Sequence, residues 1–398
     1  MREIIINKNQ DQIDVVLMEN GIIIEKYEEY ETKNRMEGNI YLGKVQNVLP
    51  GMQAAFVNIG ENKNTFIHFK DILPKVDETK QNAEEIMNEK NIKDIVKTGM
   101  PIIVQVKRDA TNKKGARVST HISIPSRFAV LMPNADFITI SQKIENDDEK
   151  QRLMNIAKSV LPKGYGAIIR TAAKGKNDDE IKQDLEKAIS KWKKINQKAK
   201  TIEKQKIPQI LYKSPRLIEK FLVDVMDLEI DKIVVNDKNI FNQVLTLIEE
   251  TNNDKIKIEL KENKNLIQLH DINVQLEKIM HRKIWLKCGG FITIDNTEAL
   301  TAIDVNSGKY VGTKDLEQTV FTVNKEASIE IAKQLRLRDI GGIIIIDYID
   351  MKQEENKQKI IELLEENLKK DRSKTQVIGF TKLNLLEMTR KHMCSNEK

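Results

Sequence analysis

The feature that most limits how this chain can fold is Gly341-Gly-Ile-Ile-Ile-Ile-Asp347, an apolar run closed by a carboxylate. A run without polar alternation reads as a buried strand in a sheet covered by helices. The residues before it agree. Leu316, Val320, Val323, Ala327, Ile331 and Leu335 recur three or four apart, which predicts an amphipathic helix over residues 315–338. Gly341-Gly342 ends that helix and opens the strand, read as residues 343–349. Strands at 290–294 and 299–305 precede it, and a helix at 354–370, a strand at 376–380 and a last helix at 383–392 follow. Alternating strands and helices predict an α/β domain.

Earlier in the chain the texture differs. Ile4-Ile5-Ile6, Val15-Val16-Leu17 and Ile22-Ile23-Ile24 read as strands broken by polar turns. From Gly38 come short strands with glycine punctuation, at 39–48, 54–59 and 65–69. A charged, helix-compatible stretch at 77–94 leads to two more, at 101–108 and 116–122. Five short strands with a basic final hairpin outline an OB-type barrel, a form that binds nucleic acid. Residues 124–210 mix strands (129–132, 166–170) with polar helices (149–160, 179–199), and a strand at 232–235 follows a joint flanked by Pro208 and Pro215.

Composition narrows compartment and partner. The 398 residues are 40% hydrophobic and 32% charged, as in a soluble globular protein of two or three domains. No apolar run could span a bilayer, and the N-terminus has no signal-peptide pattern. Cys288 and Cys394 make no disulfide framework, so a cytoplasmic protein is expected. A net charge of +6 merely permits a polyanionic partner; its placement says more. Residues 97–117 hold six basic side chains and one acid, and residues 191–206 hold seven lysines and one acid. The second run reads as a solvated helix face.

The chemistry concentrates on two acids. In Ala299-Leu-Thr-Ala-Ile-Asp304-Val-Asn306-Ser-Gly308 an apolar strand runs into a carboxylate, an amide and a turn glycine. Asp347 ends the isoleucine strand in the same manner. If neighbouring strands bring both acids together, their repulsion raises one pKa unless a cation lies between them. A few carboxylates completed by water and phosphate describe a magnesium site for phosphoryl chemistry, with Asn306 orienting water or a phosphate oxygen. On these residues alone, capping of two strand ends is an equally good reading.

Residues 297–308 (Thr-Glu-Ala-Leu-Thr-Ala-Ile-Asp-Val-Asn-Ser-Gly) and 334–351 (Gln-Leu-Arg-Leu-Arg-Asp-Ile-Gly-Gly-Ile-Ile-Ile-Ile-Asp-Tyr-Ile-Asp-Met) resemble the signatures of the ribonuclease E/G family. The resemblance extends over essentially the whole chain. It implies an RNase-H-like domain split between residues 1–36 and 213–283. It further implies an S1-type OB barrel at 37–123, a 5′-sensor domain at 124–212 and a DNase-I-like catalytic domain at 284–398. It makes Asp304 and Asp347 the magnesium ligands and Asn306 their companion. The activity implied is endoribonuclease cleavage of single-stranded RNA, leaving 5′-phosphate and 3′-hydroxyl ends, in ribosomal RNA maturation and mRNA decay.

The same resemblance assigns two further sites. Arg170 and Thr171, in Gly164-Tyr-Gly-Ala-Ile-Ile-Arg-Thr171, become the pocket for the RNA 5′-monophosphate, although Gln142-Lys143 stands where many members have Arg-Arg. By residue type alone a guanidinium fork and a hydroxyl suit a terminal phosphate, and an exposed strand-end arginine suits the same pattern. Phe56, Phe66, His68 and Lys114 fall on the RNA channel, although barrel phenylalanines are by type more often core. Lys113 lies beside them, and Arg372 matches a basic position of the catalytic domain that binds the scissile phosphate or caps a helix. Longer members continue into a CPxC zinc link and a small dimerisation domain. Here His392-Met-Cys394 gives no complete zinc motif, so no zinc is expected and a homodimer stays open. The competing reading is an RNA-binding protein without cleavage.

Overall fold

A computed structural model describes residues 1–31, 35–72, 91–110, 114–225, 230–250, 256–308 and 316–392. The chain forms two compact units, Met1–Thr32 with Leu228–Lys398, and Lys33–Asp227. Three antiparallel strands open the first: β1 (Arg2–Asn9), β2 (Gln12–Glu19) and β3 (Ile22–Tyr30). Ile4, Ile5, Ile6, Val15, Val16 and Leu17 are all buried. Consecutive strand residues point to opposite faces, so both faces are covered there.

In the second unit β4 (Ile40–Leu49), β5 (Ala54–Asn58), β6 (Thr65–His68), β7 (Pro101–Arg108) and β8 (Arg117–Ser119) pair in the order β4-β5-β6-β8-β7. β7 returns to β4, which closes a five-stranded barrel consistent with an OB fold. Alternate residues fill it, among them Val45, Val57, Ile67, Val104 and Val118. β8 stops at Ser119, three residues short of the expected strand. Most of the charged stretch at 77–94 lies outside the described residues; its end, Ile92–Ile95, is helical and capped by Asn91.

A four-stranded sheet follows, made of β9 (Ile124–Pro125), β10 (Ala129–Met132), β11 (Ile138–Ile140) and β12 (Gly166–Ile169) in the order β11-β12-β10-β9. α1 (Asp147–Val160) and α2 (Asp178–Thr201) cover it through Leu153, Ile156, Ile181 and Leu185. The lysines at 191, 193, 194, 198 and 200 are exposed on α2, as a solvated face requires. β13 (Gln209–Tyr212) pairs with β4.

The first unit then resumes. β14 (Lys232–Val235) and β15 (Lys257–Leu260) complete the N-terminal sheet in the order β15-β14-β1-β2-β3. A six-stranded sheet comes next: β16 (Lys283–Trp285), β17 (Phe291–Asn296), β18 (Leu300–Asn306), β19 (Gly342–Asp347), β20 (Thr375–Phe380) and β21 (Leu385–Arg390), in the order β16-β17-β18-β19-β21-β20. α3 (Leu316–Leu337) and α4 (Glu354–Leu368) share its core.

Two expectations change here. Residues 383–392 are not a helix. Leu386, Met388 and Arg390 are buried while Leu385, Glu387 and Thr389 are only partly so, the period of a strand. The segment fills the slot between β19 and β20, and pairing on both sides outweighs its local helix propensity. Nor is the isoleucine strand buried on both faces. Ile344, Ile346 and Tyr348 enter the core, whereas Ile343 is 53% exposed and Asp347 is exposed. The helices cover one face; the other is open.

Candidate active site

The open face carries the acids. β18 and β19 run parallel with Asp304 directly opposite Asp347. Neighbouring strands lie about 4.8 Å apart, so two carboxylates stand side by side at the carboxyl ends of adjacent strands. Both are exposed. Partial burial, then the charge of Asp304 and then that of Asp350, push the Asp347 carboxyl above the usual aspartate value. Asn306 Nδ2 donates to Asp304 Oδ2 at 2.5 Å, so the amide fixes the orientation of that carboxylate. At Gly308, φ is +60° and a Cβ would come within 2.5 Å of the Gly289 carbonyl oxygen, so the turn after β18 requires glycine.

Other polar groups hold this platform in place, and sequence reasoning passed over them. Asn324, fully buried on α3, donates Nδ2 to the Ile349 carbonyl (2.8 Å) and accepts from the Ile349 N–H (3.1 Å). Ser328, one turn on, hydrogen-bonds the buried Tyr348 hydroxyl at 2.8 Å. The chain leaving Asp347 is thus clamped at its next two residues. The legible signal was two polar residues four apart beside an otherwise apolar stripe. Glu317 accepts from the backbone N–H groups of Lys352 and Gln353 and from Asn356 Nδ2, which fixes the turn beyond Asp350. Asp350 accepts from Asn384 Nδ2 at 3.3 Å, a turn role.

No cluster of three or more His, Cys, Asp or Glu suited to a metal occurs among the described residues. Magnesium does not need one. It keeps several waters and binds through one or two carboxylates plus substrate phosphate, so a repelling, solvent-facing carboxylate pair fits it.

On the barrel, Phe56 and Phe66 are direct partners on β5 and β6, with rings edge to face and centroids 6.1 Å apart. Val57 and Ile67, their chain neighbours, are buried, so both rings point outward and are half-buried rather than core. His68 lies on the same outer row and accepts at Nδ1 from the Lys70 N–H (3.2 Å). Lys114 is exposed, and Lys113 lies outside the described residues. On the four-stranded sheet, parallel β11 and β12 bring Ser141 beside Arg170 and Thr171, because Ile140 is opposite Ile169. The Ser141 and Thr171 hydroxyls are 2.9 Å apart, and Arg170 Nη1 donates to the Ser126 carbonyl (3.1 Å). Gln142 and Lys143, next in the chain after Ser141, are exposed.

A model of the ribonuclease E/G family matches residues 123–393. The chain belongs to the ribonuclease E/G family. Ribonuclease G of Escherichia coli (strain K12) is 38% identical over 98% of the chain and 79% of its own length. Ribonuclease G of Haemophilus influenzae is 37% identical over the same shares. Ribonuclease E of Nostoc sp. is 33% identical over 92% of the chain and 52% of its own length. The family model begins after the barrel, whereas the Ribonuclease G relatives align across it.

Arg372 meets an acid of the same unit. Its side chain is 17% exposed and pairs at 3.4 Å with Glu25 of β3, which also accepts from the Tyr27 hydroxyl (2.8 Å). Burial first, then the Glu25 charge, push the Tyr27 phenol far above its ordinary value. Arg372 therefore joins two parts of one unit. His392 stacks over Gly341, with Nδ1 2.9 Å from the Asp339 carbonyl oxygen, while Cys394 lies outside the described residues. Among the described residues no helix is long and apolar enough to cross a membrane.

Proposed function

We propose that the chain is a magnesium-dependent endoribonuclease acting on single-stranded RNA and leaving 5′-phosphate and 3′-hydroxyl ends. The observation that carries this reading is the register pairing of Asp304 with Asp347 beside Asn306, in a chain whose relatives are named Ribonuclease G and E. Magnesium, when bound, would supply charge neutralisation for the phosphodiester and an acidified water as nucleophile. Asp304 and Asp347 would hold it, and Asn306 keeps Asp304 turned toward it. Phe56 and Phe66 offer ring faces for unpaired bases, with His68 and Lys114 beside the strand. Arg170 and Thr171 would receive a 5′-monophosphate. The domain boundaries 1–36, 37–123, 124–212, 213–283 and 284–398, with RNase-H-like, S1-type, 5′-sensor and DNase-I-like identities, belong to the same proposal. So do the roles in ribosomal RNA maturation and mRNA decay.

The test is a 5′-labelled single-stranded oligoribonucleotide incubated with magnesium or with EDTA, beside its deoxy counterpart. Cleavage with magnesium alone, 5′-phosphate on the downstream product and an intact deoxy strand are expected. Binding without cleavage would make the chain an RNA-binding protein instead. Phe56→Ala should weaken RNA binding by about 1–3 kcal/mol in a filter or anisotropy titration, since a stacked base loses its platform. Its thermal midpoint should hardly move, because the ring lies outside the barrel core. Arg170→Ala should remove the rate advantage of 5′-monophosphorylated over 5′-hydroxyl RNA while leaving the 5′-hydroxyl rate unchanged, measured on paired substrates.

A further inference from the structure

The open face of the six-stranded sheet extends beyond the acids to an aromatic cluster. Reading across β16, β17, β18 and β19, Lys283 stands opposite Thr293, Thr293 opposite Asp304, and Asp304 opposite Asp347. In the adjacent row Trp285 stands opposite Phe291, and Phe291 opposite Asn306. Directly opposed residues share a face, and the residues between them confirm it, since Ile292, Ile294, Ile303 and Val305 are all buried on the other side. The aromatic pair therefore begins one strand spacing from Asn306, on the surface that carries the carboxylates.

Trp285 is 59% exposed, an unusual amount of open apolar surface for an indole. It meets Phe291 edge to face, with centroids 5.3 Å apart. The Lys283 ammonium sits 3.6 Å from the Phe291 centroid and 4.2 Å from that of Trp285. A cation held against two rings is restricted in position while its charge remains available. An exposed ring with a fixed ammonium beside it is the pairing that takes a nucleotide, with the base on the ring and the phosphate on the cation.

We propose that Trp285, Phe291 and Lys283 form a nucleotide subsite of the catalytic sheet. Trp285 stacks the base of a nucleotide flanking the scissile phosphodiester, and Lys283 meets a neighbouring phosphate of the same RNA strand. The subsite rests on the assignment of Asp304 and Asp347 as the cleavage site, to which it is contiguous. It is distinct from the outward phenylalanines of the barrel, so it selects which phosphodiester lies over the acids rather than merely retaining RNA.

The experiment uses a single-stranded oligoribonucleotide with one cut site and a series in which each nucleotide flanking the cut is abasic in turn. Trp285→Ala is expected to lower kcat/KM about five- to a hundredfold, and Trp285→Phe to restore most of it. At one flanking position the abasic substrate should be cut by the wild type as poorly as the intact substrate is by Trp285→Ala, with no further loss when the two are combined. Wild-type rates for Trp285→Ala, or losses that multiply at every position, would overturn the subsite while leaving the nuclease reading intact. If the wild type does not cleave, that reading fails separately and the subsite is decided by fluorescence. Trp192 is buried at 5% exposure, so RNA should quench the signal of Trp285, and Trp285→Phe should abolish the change. Absence of quenching would overturn the subsite.

Discussion

Asp304→Asn and Asp347→Asn are each expected to reduce magnesium-dependent cleavage by on the order of a thousandfold. A metal at a phosphodiester supplies several kcal/mol of transition-state stabilisation, and each 1.36 kcal/mol is a factor of ten. Removing one of only two carboxylates forfeits most of it. Both acids are exposed, so neither change opens a cavity, and circular dichroism should be unaltered. RNA binding through the barrel should persist, which separates loss of chemistry from loss of substrate. Cleavage that survives both substitutions would refute the assignment. The raised Asp347 carboxyl adds a pH dependence with a defined sign. A proton on Asp347 competes with magnesium, so cleavage at limiting magnesium should rise with pH through that elevated value, and excess magnesium should shift the rise to lower pH. In the metal-free protein the same group binds its proton more tightly when folded than when unfolded. Its contribution to stability is therefore complete below the ordinary aspartate value and lost as pH rises through the folded one.

Arg390→Met is expected to destabilise the first unit by about 3–5 kcal/mol. The Arg390 side chain is 1% exposed. Nε donates to Asp371 Oδ2 at 2.7 Å and Nη1 donates to Asp339 Oδ1 and to the Ile340 carbonyl, both at 2.8 Å. The Asp371 side chain is itself 2% exposed, so losing the guanidinium strands a buried carboxylate, which is what makes the change costly. Asp371→Asn combined with Arg390→Met should recover part of the loss, because the uncompensated charge is then gone. Urea unfolding of the three variants checks this, and equal midpoints for wild type and Arg390→Met would contradict it. The pair also pins the start of β19, where Gly342 is opposite Arg390, at the end of the strand remote from Asp347.

What sequence alone determined was set by local pattern. The helical stripe from Leu316 to Leu335, the short strands of the barrel and the acids at two strand ends follow from residue spacing and turn chemistry. The structure returned them within a few residues, except that Leu316, the first residue of the stripe, is 73% exposed rather than in the core. Family membership was likewise legible, since it rests on the order of residues in two long motifs. Four things required tertiary structure. The strand at Leu385–Arg390 has residues that suit a helix, and only its place between β19 and β20 decides otherwise. The isoleucine run is apolar on both sides, so its pattern could not say that one face stays open, and that depends on where α3 and α4 pack. Arg372 matches a basic position that binds the scissile phosphate or caps a helix, and its pairing with Glu25 of β3, more than three hundred residues earlier in the chain, shows only in the fold. Finally, Asp304 and Asp347 are 43 positions apart, and periodicity says nothing about pairing between strands. Their register is fixed by the core that Ile303, Ile344 and Ile346 share, because a slip of one residue would turn every one of those side chains to water.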